Sequence, residues 1–219
     1  MHFRIRPGSK VLFIGASTTD AQRARPYAEG PGDELGRGYV ALIDATLGAY
    51  RPADKIRVLN MGVSGNTVRD LKARWEADVL AHRPDWLSIL IGINDVWRQF
   101  DSPKRTETHV LLAEYEKTLD ALIRKTKPRL KGGLILAAPF FIEPNPKEPM
   151  RALMDRYGAV VKKLAARHRA VFVDTQAAFA PALKHLHPAT LAWDRIHPNQ
   201  TGHLLIARAF LEALGFEWA

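Results

Sequence analysis

Five short apolar runs recur along the chain, at Val11 to Ile14, Ile56 to Leu59, Trp86 to Ile91, Leu134 to Ala138 and Val171 to Val173, each bordered by Gly, Pro, Asp or Asn. Their hydrophobicity is continuous rather than alternating, as expected of strands covered on both faces in a parallel sheet. Between them the apolar spacing turns helical. In Thr67 to His82, residues Val68, Leu71, Trp75, Val79 and Leu80 fall on one stripe. Similar stretches run from about Gly38 to Tyr50, His109 to Lys125, Met150 to His168 and Thr201 to Leu214. Parallel neighbours need long crossovers, which are right-handed, so this alternation predicts a three-layer α/β/α sandwich around a five-stranded parallel sheet.

A core of this kind grows to about 250 residues before it splits, so residues 1–219 are expected to form a single domain. The chain carries 32 Lys and Arg against 23 Asp and Glu, a formal charge of +9. Its basic residues are scattered among acids, as in Arg69, Lys72 and Arg74, which suits a solvated face and argues against a nucleic-acid partner. There are no cysteines, hence no disulfide framework. Met1 to Lys10 is polar and basic, and the apolar run after it is too short for a signal peptide, so a cytoplasmic protein is expected. No apolar stretch approaches the ~20 residues of a membrane helix, and no membrane partner is expected. Two irregular stretches, Glu29 to Gly38 and Phe140 to Pro149, read as long loops after the first and fourth strands.

In open α/β sheets, ligands bind beyond the carboxyl ends of the strands. There the sequence places Gly15-Ala16-Ser17 after strand one, Gly62-Val63-Ser64-Gly65-Asn66 after strand two and Gly92-Ile93-Asn94-Asp95 after strand three. A fourth segment, Asp194-Arg195-Ile196-His197, precedes the last helix. A serine hydroxyl needs a base to be nucleophilic near pH 7, and imidazole is suited to that task. His197 is the candidate base for Ser17. Asp194, three residues earlier, can orient its ring, and no other histidine has an aspartate at that spacing. The backbone N–H groups of Ser17 and Gly65 and the amide of Asn94 are candidate oxyanion donors.

These four blocks, in this order from Gly15 to His197, resemble those of the SGNH (GDSL) hydrolase family. The resemblance implies a flavodoxin-like SGNH hydrolase fold, with Ser17 as nucleophile, Asp194 and His197 completing a triad, and Gly65 and Asn94 as oxyanion donors. The family usually has Asp between the Gly and Ser of its first block, where this chain has Ala16. Finer blocks, Arg23-Ala24-Arg25-Pro26, Gly62 to Leu71, Gly92 to Arg98, Asp174 to Phe179 and Ala192 to Arg195, are similar to intracellular acetylxylan esterases of xylan-degrading bacilli. That likeness implies removal of acetyl groups from acetylated xylo-oligosaccharides through an acetyl-enzyme intermediate. It also implies assembly into a homo-oligomer, an octamer among the sizes it admits.

Other residues admit plainer roles. Ser17 can act as a helix N-cap with Asp20 completing the turn, and Ser64 lacks the full Gly-x-Ser-x-Gly spacing and reads as a turn residue. Asp95 adjoins Asn94 and is expected to hold that loop by local hydrogen bonds. Trp97 and Trp193 either wall an acyl pocket and contact the substrate or pack in the core. Arg23 and Arg25 suit a subunit contact or a surface ion pair. No metal-ligand spacing or phosphate loop is present, and no cofactor is expected. The alternatives to an acetylesterase are a broader short-chain carboxylesterase or lipase, and a non-catalytic carbohydrate-binding protein on the same fold.

Overall fold

The computed structural model describes residues 2–30 and 34–218. Five parallel strands form one sheet: β1 (Lys10–Gly15), β2 (Arg57–Asn60), β3 (Trp86–Leu90), β4 (Gly133–Ala137) and β5 (Val171–Val173), in spatial order β2-β1-β3-β4-β5. Register is continuous across the centre, where Val11 to Gly15 pair with Trp86 to Leu90, and these in turn with Gly133 to Ala137.

Helices follow the strands: α1 (Ser17–Asp20), α2 (Tyr39–Tyr50), α3 (Val68–Trp75), α4 (Ile93–Asp101), α5 (Leu112–Thr126), α6 (Pro149–His168), α7 (Thr175–Ala178), α8 (Ala180–Leu183) and α9 (Gln200–Ala213). Alternate strand residues point to opposite faces, so β1 sends Leu12 and Ile14 into one core and Val11 and Phe13 into the other. The first core is closed by apolar stripes such as Val68, Leu71 and Trp75 of α3 and Tyr115, Leu119 and Ile123 of α5, together with Met154, Tyr157 and Leu164 of α6. The second is closed by Tyr39 and Ile43 of α2 and Ile206 and Phe210 of α9, with the Tyr39 and Phe210 rings stacked 5.0 Å apart. This is the three-layer sandwich expected from the apolar runs.

The differences lie at the ends of elements and in helices that the apolar spacing did not announce, α4, α7 and α8 among them. The expected Thr67 to His82 helix stops at Trp75 and continues as a wider π-helical segment, Glu76–Leu80. The segment after strand three is helical: Asn94 and Asp95 occupy the first turn of α4 after Gly92, whose φ of 131° only glycine adopts readily. Of the loop expected at Glu29 to Gly38, residues 31–33 lie outside the described residues.

The chain leaves β1 for β2 through α2 on one face of the sheet, and then reaches β3 through α3 on the other. The carboxyl ends of β1 and β3 are therefore adjacent while their connections diverge, and a crevice opens between them. Among the described residues no helix is long and apolar enough to cross a membrane.

Candidate active site

The crevice is built from the end of β1. A Cβ on Gly15 would stand 2.4 Å from the Leu90 carbonyl oxygen, so glycine is required where the chain turns out of the sheet. Ala16 accepts hydrogen bonds from the N–H groups of Thr19 (3.1 Å) and Asp20 (2.8 Å), and Ala21 donates to Ser17 at 2.9 Å. These bonds make the single turn α1 and set Ser17 at its start. They use only the backbone of Ala16, whose methyl group is buried in the core, so the turn is closed without a carboxylate at that position.

The Ser17 hydroxyl lies 2.9 Å from His197 Nε2, and His197 Nδ1 lies 2.5 Å from Asp194 Oδ2. Because an ionised carboxylate only accepts, Nδ1 carries the proton and Nε2 is left as the acceptor facing Ser17. Asp194 Oδ1 in turn accepts the backbone N–H groups of Ile196 (2.9 Å) and His197 (2.8 Å). Partial burial raises the Asp194 carboxyl pKa, but these bonds together with the imidazole outweigh it and hold the group below its ordinary value. Arg195, between the acid and the base, takes a left-handed φ of 62°. Its guanidinium pairs with Glu143, and its carbonyl accepts the Ile142 N–H at 2.9 Å. The triad loop is thereby anchored to the Phe140 to Pro149 loop. This anchor has no signature in the sequence, because its partners lie 52 residues apart.

The three candidate oxyanion donors converge on the same pocket of about 700 Å³. Gly65 has a φ of 83°, and nothing stands within 4 Å of where its Cβ would be, so the backbone conformation requires glycine and the pocket side is open. The backbone N–H groups of Ser17 and Gly65 have no hydrogen-bond partner among the described residues. Asn94 is buried and donates from Nδ2 to the Asn66 carbonyl at 2.9 Å, which ties two of the donor-bearing loops together. Asp95 holds this region, but by a long-range bond instead of the local ones expected: its Oδ1 accepts the Val68 N–H, 27 residues away, at 2.9 Å, joining α4 to the start of α3, and burial raises its pKa to about 7.

The two tryptophans separate. Trp97 lines the pocket, its ring 6.1 Å from that of His197 and covered by the Arg98 guanidinium at 4.4 Å. Trp193 is 90% exposed and is not part of the pocket wall. Arg23 is buried against the loop after β2, whereas Arg25 is half-exposed and forms the ion pair expected of it, with the buried Asp20. The pocket is also lined by residues that the sequence did not single out, among them Gln22, Arg37, Gln200 and His203. His203 is buried with its Nδ1 accepting the Tyr39 N–H at 3.2 Å. Burial, then the nearby His197, lowers its pKa to about 4. Among the described residues no group of three or more His, Cys, Asp or Glu side chains can hold a metal ion.

A nucleophile, a base, an orienting acid and free donors around one pocket define a serine hydrolase. The chain belongs to the GDSL-like lipase/acylhydrolase family, whose model matches residues 13–205. More particularly, it is 59% identical over 215 residues to an acetylxylan esterase from Geobacillus stearothermophilus, covering 98% of each chain. A crystal structure of an acetylxylan esterase from that organism superposes with a TM-score of 0.97 at 58% identity, over 99% of this chain and 98% of the other. Structures of its catalytic mutants, with a serine, a histidine or an aspartate replaced by alanine, match equally well. An alpha/beta hydrolase enzyme from the metagenome of Lake Arreo, Spain, superposes with a TM-score of 0.97 at 52% identity over the whole of both chains.

Proposed function

We propose that this chain is a serine esterase that removes acetyl groups from acetylated xylo-oligosaccharides. One observation carries the reading: the unbroken chain of contacts from Ser17 to His197 to Asp194 opens on a pocket that also holds two backbone N–H groups with no partner among the described residues. Similarity to acetylxylan esterases supports the choice of substrate.

In the first step the Ser17 oxygen attacks the acetyl carbonyl carbon while His197 Nε2 takes its proton, and the carbonyl oxygen becomes an oxyanion. The Ser17 and Gly65 N–H groups and the Asn94 amide receive that charge. On collapse the bond to the sugar oxygen breaks, the imidazolium returns its proton to that oxygen, and the sugar leaves with Ser17 acetylated. Water then attacks with its proton passing to His197, and acetate leaves as Ser17 recovers its hydrogen. Asp194 stabilises the imidazolium in both steps.

Trp97 is suited to limit the acyl group, since it stands beside His197 in the pocket wall. A series of p-nitrophenyl esters tests this, with acetate expected to turn over faster than butyrate or octanoate. Faster octanoate hydrolysis would favour a lipase-like carboxylesterase, and equal rates for wild type and Ser17→Ala would favour a binding protein.

We further propose a homo-oligomer in the cytoplasm. A solvent-exposed indole at Trp193, with Leu186 and Leu204 also exposed, supports a subunit contact. The cytoplasmic location rests on the likeness to intracellular esterases and is tested by fractionation of the source cells.

A further inference from the structure

The paired arginines and the acid at the end of α1 converge behind the oxyanion loop. Asp20 is buried, three residues after the nucleophile on the same helical turn. Its Oδ2 accepts from the Ser64 N–H (2.9 Å), the Ser64 hydroxyl (2.8 Å) and the Arg25 guanidinium (2.7 Å). Arg25 also reaches the Gly62 carbonyl at 3.3 Å. Arg23 donates to that carbonyl at 2.7 Å, and to the carbonyls of Ala24 (2.8 Å) and Pro26 (2.9 Å). The turn from Gly62 to Gly65 lies so close to α1 that a Cβ on Gly62 would stand 2.2 Å from the Asp20 nitrogen.

We propose that Asp20, clamped by Arg25, is a positioning residue of the oxyanion hole, holding Ser64 so that the N–H of Gly65 stays aimed at the carbonyl oxygen of a bound ester. The inference rests on reading the site as an esterase centre. Its geometric basis is the peptide unit joining Ser64 to Gly65. Two bonds to Ser64, one to its backbone N–H and one to its hydroxyl, fix its Cα and the direction of its Cα–C bond, so the planar unit carrying the Gly65 N–H keeps a single soft rotation, about that bond. Without the two bonds to Ser64 its Cα would shift, and the Gly65 donor would shift with it. Because Asp20 and Ser17 share α1, the same contact sets the donor relative to the nucleophile. Burial acts to raise the Asp20 pKa, but the bonds from Arg25 and Ser64 outweigh it and keep the group ionised.

A buried carboxylate behind an oxyanion hole opposes the charge that develops there. Arg25 offsets it, and Arg23 leaves the three side chains with a net charge of +1. Field and position therefore make opposite predictions for Asp20→Asn. Removing the negative charge would speed the reaction if only the field mattered, whereas loss of the clamp slows it.

The test measures hydrolysis of p-nitrophenyl acetate alongside inhibition by a boronic acid, which becomes tetrahedral on Ser17. Asp20→Asn is expected to lower kcat about 10- to 100-fold with KM within about threefold, as for partial loss of one oxyanion donor. The boronate inhibition constant should rise by the same factor that kcat/KM falls. Arg25→Gln, at a half-exposed position, should act in the same direction but more weakly, and Arg25→Lys should recover most of the loss. Asp20→Asn hydrolysis at or above the wild-type rate sinks the proposal, as does a loss of kcat with boronate affinity unchanged. If Asp20→Asn fails to fold, unchanged kcat and boronate affinity in Arg25→Gln sinks it instead. A wild-type protein that hydrolyses no acetate ester overturns the esterase reading itself, a result distinct from all of these.

Discussion

Ser17 is an ordinary alcohol whose reactivity depends on one proton acceptor 2.9 Å away. Ser17→Ala or His197→Ala is therefore expected to lower kcat on an activated acetate ester by roughly 10⁴-fold or more, with the fold unchanged by circular dichroism. His203 gives a separate, pH-dependent signal. Its folded pKa of about 4 lies below the ordinary 6.5, so the unfolded chain binds a proton that the folded chain refuses. Above pH 6.5 both states are neutral and the stability is fully present. As pH falls from about 6.5 to 4, roughly 3 kcal/mol is lost, since a tenfold difference in proton affinity corresponds to about 1.4 kcal/mol. Urea midpoints at pH 7 and pH 4.5 check this, with a smaller decline expected in His203→Gln than in wild type.

The first turns of α3 and α4 carry the donor side of the site. Thr67 and Asp70 form a capping box at the start of α3, and the Asp95 carboxyl on α4 accepts the next N–H, that of Val68. Asn94→Ala removes the only side-chain donor of the set and should cost about 3 kcal/mol of transition-state stabilisation, read as a roughly 100-fold lower kcat with little change in KM. Asp95 is buried with its pKa raised by burial to about 7, against 3.8 ordinarily. The stability this group contributes is full below pH 3.8 and is lost as pH rises through about 7. Asp95→Asn cannot ionise, so its stability relative to wild type should increase from about pH 4 to pH 7 in chemical denaturation and level off above that. A constant difference would mean that the carboxyl is ionised throughout.

Exposed apolar surface is what the molecule leaves uncovered when it folds alone. A 90% exposed indole beside the triad loop costs solvation free energy that a second subunit would recover. Light scattering is expected to give a mass well above the 24.5 kDa of one chain. Trp193→Ser should lower that mass, with activity on p-nitrophenyl acetate within about fivefold of wild type, because this ring does not line the pocket. A monomer at micromolar concentration would remove the homo-oligomer reading while leaving the catalytic one in place.

The sandwich was legible because burial on both faces of a parallel strand demands continuous apolar runs, and all five appear as strands with ends within one residue of those runs. Ser17, Asp194 and His197 were legible because acid and base sit three residues apart in a loop, a spacing that any fold would preserve. The start of α4 was not, since Gly, Asn and Asp usually mark turns, and only the packing of Val96 and its neighbours makes that stretch helical. Nor was the fate of the tryptophans, of Arg23 with Arg25, or of Arg195 with Glu143. Which side of a side chain meets solvent, and which distant carbonyl or carboxylate it meets, depends on how separate crossovers pack at one sheet edge. Local periodicity therefore determined the layers and the identity of the reacting groups, and long-range packing alone decided the pocket wall, the clamp behind Gly65 and the charge state of the buried Asp95 and His203.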